Sequence, residues 1–153
     1  MRFAIFGTVR ENELSGATRQ LEGRFMSRKI FLTLAAVVAL GAGAIAVAFP
    51  AEFLASKGTL PSGAANLWMR ETGLLLVCMG IIVLSVRNQP DSPAMEALML
   101  GNLLAQLGLL ATELAGFAAG VITKISGIAP NFVLHIALAS GFAHFWRRIK
   151  IRE

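Results

Sequence analysis

The chain has 153 residues, 56% of them hydrophobic and 15% charged, with a net charge of +5. A water-soluble domain of this length has too little interior to hide so much apolar surface, which argues against a soluble globular fold. The basic residues sit in short clusters at the ends of apolar runs, a pattern of membrane orientation that argues against a nucleic-acid-binding surface.

Residues 1–28 are polar, mixed in charge and without a sustained period, so a poorly ordered cytoplasmic tail is expected there. Met26 precedes Ser27-Arg28-Lys29 and the first apolar run, which makes it a second candidate start beside Met1. The first predicted span is 29–49. Its basic start and Ala46-Val47-Ala48 also fit a signal peptide, but its apolar run is longer than the usual ~7–15-residue signal core, so a retained helix is expected. Ala35, Ala39 and Gly43, four apart, offer a small-residue ridge for close packing.

Residues 50–66 hold two prolines and two glycines and read as a loop, with room for one amphipathic turn over Ala51–Lys57. The second span is 67–86. Trp68 suits the headgroup level, Arg70 and Glu71 fall in the first turn, and Gly73 and Gly80 share one face as sites of backbone approach. Cys78 is the only cysteine, which rules out an internal disulfide; it reads as a small core residue. After a polar turn, Ser92 can cap a helix with Pro93 at its first position.

The third span, 94–121, is nearly continuous apolar sequence with Asn102, Gln106 and Glu113 set into it. At about 100° per residue these three share one face. A carboxylate in a bilayer costs at least ~2.5 kcal/mol, so Glu113 is expected to face other helices or a wet cavity. Beside that face run Gly108, Thr112, Gly116 and Gly120, and Gly116–Gly120 is a GxxxG match of the kind that packs helices within a chain or between copies. At ~1.5 Å per residue the span would reach about 42 Å, which predicts a tilt or a projecting end. A short connection follows, Pro130 is expected to open a fourth span at 130–146, and 148–153 is a basic cytoplasmic tail.

Basic residues flank both ends of this region (Arg28, Lys29; Arg147, Arg148, Lys150, Arg152), whereas the expected outer loops hold only Lys57 and Lys124. That asymmetry predicts an inner (plasma) membrane protein with both termini cytoplasmic, which requires an even number of spans. The predicted fold class is therefore all-α: an integral membrane four-helix up-and-down bundle occupying 29–147, with the lipid bilayer as its first partner and no nucleic acid.

In that topology Arg70, Glu113 and His135 lie toward the outer half. An outward-open polar pocket is expected, with Glu113 paired to Arg70 or His135, Glu71 beside them, and Asn102 and Gln106 as the floor. The competing reading has Arg70 reaching the headgroups and Glu113 making one structural interhelical bond. His135 and His144, nine apart on opposite faces of one helix, cannot share a haem. Glu113 and His135 alone are too few for a metal, so no cofactor is expected. No nucleophile–base motif, phosphate-binding loop or redox CxxC is present, and nothing marks an enzyme.

The small-residue first helix, the Phe49-Pro50-Ala-Glu-Phe53 connection, a second helix opening with Arg70 and carrying Gly73 and Gly80, and two further hydrophobic helices resemble the DoxX-like group of small bacterial four-helix membrane proteins over 29–147. The resemblance implies the fold, membrane location and, through some members, association with quinone-linked oxidoreductases; the polar face around Glu113 lies outside its pattern. Three functions follow as expectations. The first is a structural or partner-binding membrane subunit, dimeric through Gly116–Gly120 or joined to another membrane protein. The second is binding or transport of a small ligand at the Arg70/Glu113/His135 region, and the third is a quinone-linked redox accessory.

Overall fold

A computed structural model describes residues 27–149; the expected tails fall largely outside them, at 1–26 and 150–153. The described chain is all-helical. Its helices are α1 (Arg28–Ala48), the short α2 (Pro50–Ser56), α3 (Gly63–Val86), α4 (Pro93–Ala118) and α5 (Ile125–Trp146). Four of them, all but α2, are long and apolar enough to cross a membrane, which makes this a membrane-embedded helix bundle. Leu74, Leu75, Ile81 and Ile82 of α3 are exposed, as an apolar helix turned toward acyl chains requires.

The helix starts follow local chemistry. The hydroxyls of Ser27, Ser62 and Ser92 each accept a bond from the amide three residues on, satisfying one orphan donor apiece. The Ser62 cap starts α3 at Gly63, a turn ahead of the expected 67. The C-terminus of α4 is a Schellman turn: Gly120 takes φ +72°, with Gly120 N–H donating to Phe117 O and Val121 N–H to Gly116 O. This ends the helix at Ala118 rather than 121 and gives Gly120 a capping role.

α5 begins at Ile125, so Pro130 lies inside it rather than at its start. The proline forfeits one amide donor in the second turn, a cost carried by a helix whose opening turns are held by contacts elsewhere. The expected 50–66 loop is also partly helical. Pro50 sits in the first turn of α2, where its missing N–H costs nothing, and Glu52 lies near the positive end of the helix dipole.

At one end, here called the base, lie the start of α1, the α3–α4 turn and the end of α5. Arg28 pairs with Asp91 and donates to the Gln89 carbonyl at 2.8 Å, tying α1 to that turn. Phe31 packs edge-on against Phe142 and tilted against Phe145, with ring centroids 4.9 and 5.2 Å apart. Leu32, Ala36, Val83, Met95 and Met99 complete a core to which all four spans contribute. The opposite end, the crown, carries α2 and the α4–α5 connection.

α1 packs chiefly on α3, and α4 on α5. The first pair is held closely by small residues. A Cβ on Gly43 would stand 2.6 Å from Gly73 O, and one on Gly73 2.8 Å from Gly43 O; one on Gly80 would meet Leu40 Cγ at 2.8 Å. Such contacts let the backbones themselves touch, the packing mode available where lipid removes the hydrophobic drive between helices. Gly108 has no neighbour within 4 Å of its would-be Cβ, and Gly116 meets only the Ile122 side chain. Among the described residues the Gly108–Gly116–Gly120 ridge therefore carries no helix contact. Cys78, expected in the core, lies on an exposed face of α3.

Candidate ligand-binding cavity

Above the base core the two helix pairs separate, leaving a cavity of about 600 Å³. This is within the ~300–1,000 Å³ range of small-molecule sites. Most of its wall is apolar: Ala39 and Ala42 from α1, Leu76 and Met79 from α3, Leu109 from α4, Leu134 and Leu138 from α5. Its polar groups gather toward the crown.

The centre of that polar end is Glu113. The Lys57 ammonium pairs with its Oε1, and Asn131 Nδ2 donates to the same oxygen at 2.7 Å. Only 10% of the Lys57 side chain and 15% of the Glu113 side chain remain exposed. Buried ion pairs hold when further hydrogen bonds complete them, and here the amide supplies one. Glu113 Oε2 is buried without a hydrogen bond; His135 Nε2 lies 3.8 Å away, beyond hydrogen-bond reach. The other ring nitrogen, Nδ1, lies 2.7 Å from Gln106 Oε1. One turn nearer the base, buried Asn102 donates from Nδ2 to Leu98 O at 2.9 Å.

Lys57 reaches this position because α2 is stapled to the α4–α5 connection. Thr123 and Lys124 amides both donate to Lys57 O at 3.2 Å. The Thr123 hydroxyl donates to Gly58 O, Lys124 Nζ to Ala55 O, and the Thr59 hydroxyl to Val121 O. Gly127 lets this segment sit down on α5, since a Cβ there would come within 2.6 Å of Lys57 Cα and Ser56 O. Gly58, at φ +75°, turns the chain away immediately afterwards. The staple runs across the crown, and its Leu54, Lys57, Thr59, Val121 and Ile122 line the cavity at that end.

Of the expected site residues, the fold brings together Asn102, Gln106, Glu113 and His135 around one cavity. Arg70 and Glu71 are not among its walls; both lie on exposed faces of α3. The cation paired with Glu113 is Lys57, and Arg70 is corrected to an outward-facing side chain near the crown. Lys57 and Asn131 are the members that pattern reading missed. Asn131 follows Pro130 directly, and a helix starting at Pro130 would have placed it in a frayed first turn. Among the described residues no three His, Cys, Asp or Glu side chains converge as a metal site would require.

No family model, curated protein or solved structure matches this chain. The chemistry of the cavity therefore stands on its own.

Proposed function

We propose that this protein is a non-catalytic membrane protein that binds a small molecule in the cavity between its helix pairs, with the molecule's polar part toward Lys57, Glu113, Asn131, His135 and Gln106. The observation that carries this reading is a buried ion pair, with one carboxylate oxygen still unpartnered, at one end of an apolar cavity. A purely structural subunit would gain stability from closing that space with side chains, because unfilled volume in a helix bundle costs packing energy. Retaining the space, and lining one end with five polar side chains, fits a bound guest. The quinone-linked reading rests on the resemblance to DoxX-like proteins alone. The membrane is the cell's inner membrane and the base faces the cytoplasm, in keeping with the basic residues gathered there.

The test is extraction of the purified protein with organic solvent and mass spectrometry of what leaves it, for the wild type and for Leu134→Trp, which fills the cavity from α5. A discrete species near one per chain in the wild type, absent from a Leu134→Trp protein of unchanged helicity, supports binding. Identical extracts from the two proteins would overturn it.

A further inference from the structure

We infer that the guest is an uncharged lipid-soluble amphiphile, its hydroxyl or amide head hydrogen-bonded at the polar end and its chain passing out between α3 and α4 into the bilayer; this rests on the binding reading above.

The route comes from the helix arrangement. α1 is packed on α3, α5 on α4, and α1 meets α5 at the phenylalanine cluster, whereas α3 and α4 share the base core but do not pack closely along their length. Met69, Thr72, Leu76, Met79 and Val83 recur at helical spacing along α3 and all border the cavity, so one continuous stripe of α3 faces it. Gln106, Leu109, Thr112 and Gly116 do the same on α4. Thr72, Met79 and Thr112 border the cavity and yet remain exposed, which marks an open slot between the two stripes. The staple crosses the crown and the core fills the base, so this slot leads sideways into the hydrocarbon layer. What enters there is already dissolved in lipid.

The head group follows from charge and hydrogen-bond accounting. Lys57 and Glu113 neutralise each other, so the polar end has no net charge with which to hold an ionic head, and such a head would give up its hydration without a counter-ion. The groups left free are one carboxylate oxygen of that neutralised pair, Glu113 Oε2, and neutral amides. Asn131 and Asn102 each spend their amide nitrogen on an oxygen acceptor, which fixes their orientation and leaves each Oδ1 without a partner among the described residues. Gln106 engages His135 through one end of its amide and has the other available. Acceptors beside a donor match a hydroxyl or an amide, which both gives and takes a hydrogen bond.

Three diazirine-tagged sixteen-carbon amphiphiles separate the possibilities in vesicles containing the full chain: an alcohol, an alkyl sulfate and an alkyltrimethylammonium. Photolabelling followed by peptide mapping reads occupancy at Leu76, Leu109 and Leu134. The alcohol is expected to label these walls about tenfold more than either permanent ion, since a buried unpaired charge is strongly disfavoured. Glu113→Gln leaves Lys57, wherever its stem rests in the empty protein, free to turn back and pair with a sulfate head, and should raise sulfate labelling relative to the alcohol. The double variant Lys57→Met/Glu113→Gln should restore the alcohol's advantage. Thr72→Trp, on the lip of the slot, should slow the rise of alcohol labelling after mixing with probe-loaded vesicles.

Equal wild-type labelling by all three heads would overturn the head assignment while leaving cavity binding intact. An unaltered labelling rate in Thr72→Trp would overturn the lateral route. Absence of wall labelling by every probe, together with identical solvent extracts from wild type and Leu134→Trp, would remove the binding reading itself.

Discussion

At the scale of single residues, Lys57 and Glu113 are partners with unequal alternatives. Glu113 is held five residues inside the C-terminal end of α4, about 7–8 Å at ~1.5 Å per residue. Its short side chain cannot leave the bundle. Lys57 lies beyond the end of α2 at the crown, on a four-carbon stem that can swing its ammonium toward water once the carboxylate is gone. Lys57→Met therefore strands a buried acceptor and is expected to destabilise by about 3–5 kcal/mol, the range for breaking a buried pair from one side. Glu113→Gln should cost less, because the new amide can still accept from Asn131 and the lysine can move outward. The double variant should be more stable than Lys57→Met alone. Denaturant unfolding in mixed micelles, followed by circular dichroism, ranks the three; a Glu113→Gln loss as large as that of Lys57→Met would show that Lys57 is locked in place by the staple.

At the scale of helices, the α1–α3 pair depends on two glycines whose substitution pushes backbone against backbone. Gly43→Ala and Gly73→Ala would each place a methyl under 3 Å from a carbonyl oxygen, and overpacking of that kind costs about 1–3 kcal/mol. Gly80→Ala first meets the Leu40 side chain, which can shift, so its loss should be smaller. Gly108→Ala meets nothing and should be neutral or slightly stabilising, since glycine within a helix is about 1 kcal/mol less favourable than alanine. Thermal melting of the four variants in detergent checks this order. Sequence alone already showed which faces of the helices mattered: a period of 3.6 aligns Asn102, Gln106 and Glu113, and seven-residue spacing aligns Gly73 with Gly80. It could not show how the connections fold. Hydropathy places a loop lysine among headgroups, and only the hydrogen bonds from Thr123 and Lys124, with the space over Gly127, turn Lys57 inward. The GxxxG reading presumed a helix running through both glycines, and Gly120, at φ +72°, lies beyond the helix end.

For the whole molecule, the inward turn of Lys57 bears on orientation. The base carries Lys29, Arg87, Arg147 and Arg148 beside Arg28, itself paired with Asp91, and at the crown Lys57 is neutralised by Glu113 within the bundle. The loop charge there reduces to Lys124, with Arg70 nearby on α3, so the asymmetry read by the positive-inside rule survives both pairings. The base is thus expected in the cytoplasm and the crown outside. Two single-cysteine proteins in a Cys78→Ala background test this. Leu60→Cys marks the crown, where the native side chain is 89% exposed, and Asn88→Cys marks the exposed base turn. A membrane-impermeant maleimide applied to intact cells should modify Leu60→Cys at once and Asn88→Cys only after permeabilisation. In Glu113→Gln, Lys57 is free to join the crown's surface charge, yet the basic residues of the base still oppose it, so the labelling pattern should stay the same. A mixed population in that variant alone would mean that the buried pair helps to set topology as well as to form one end of the cavity.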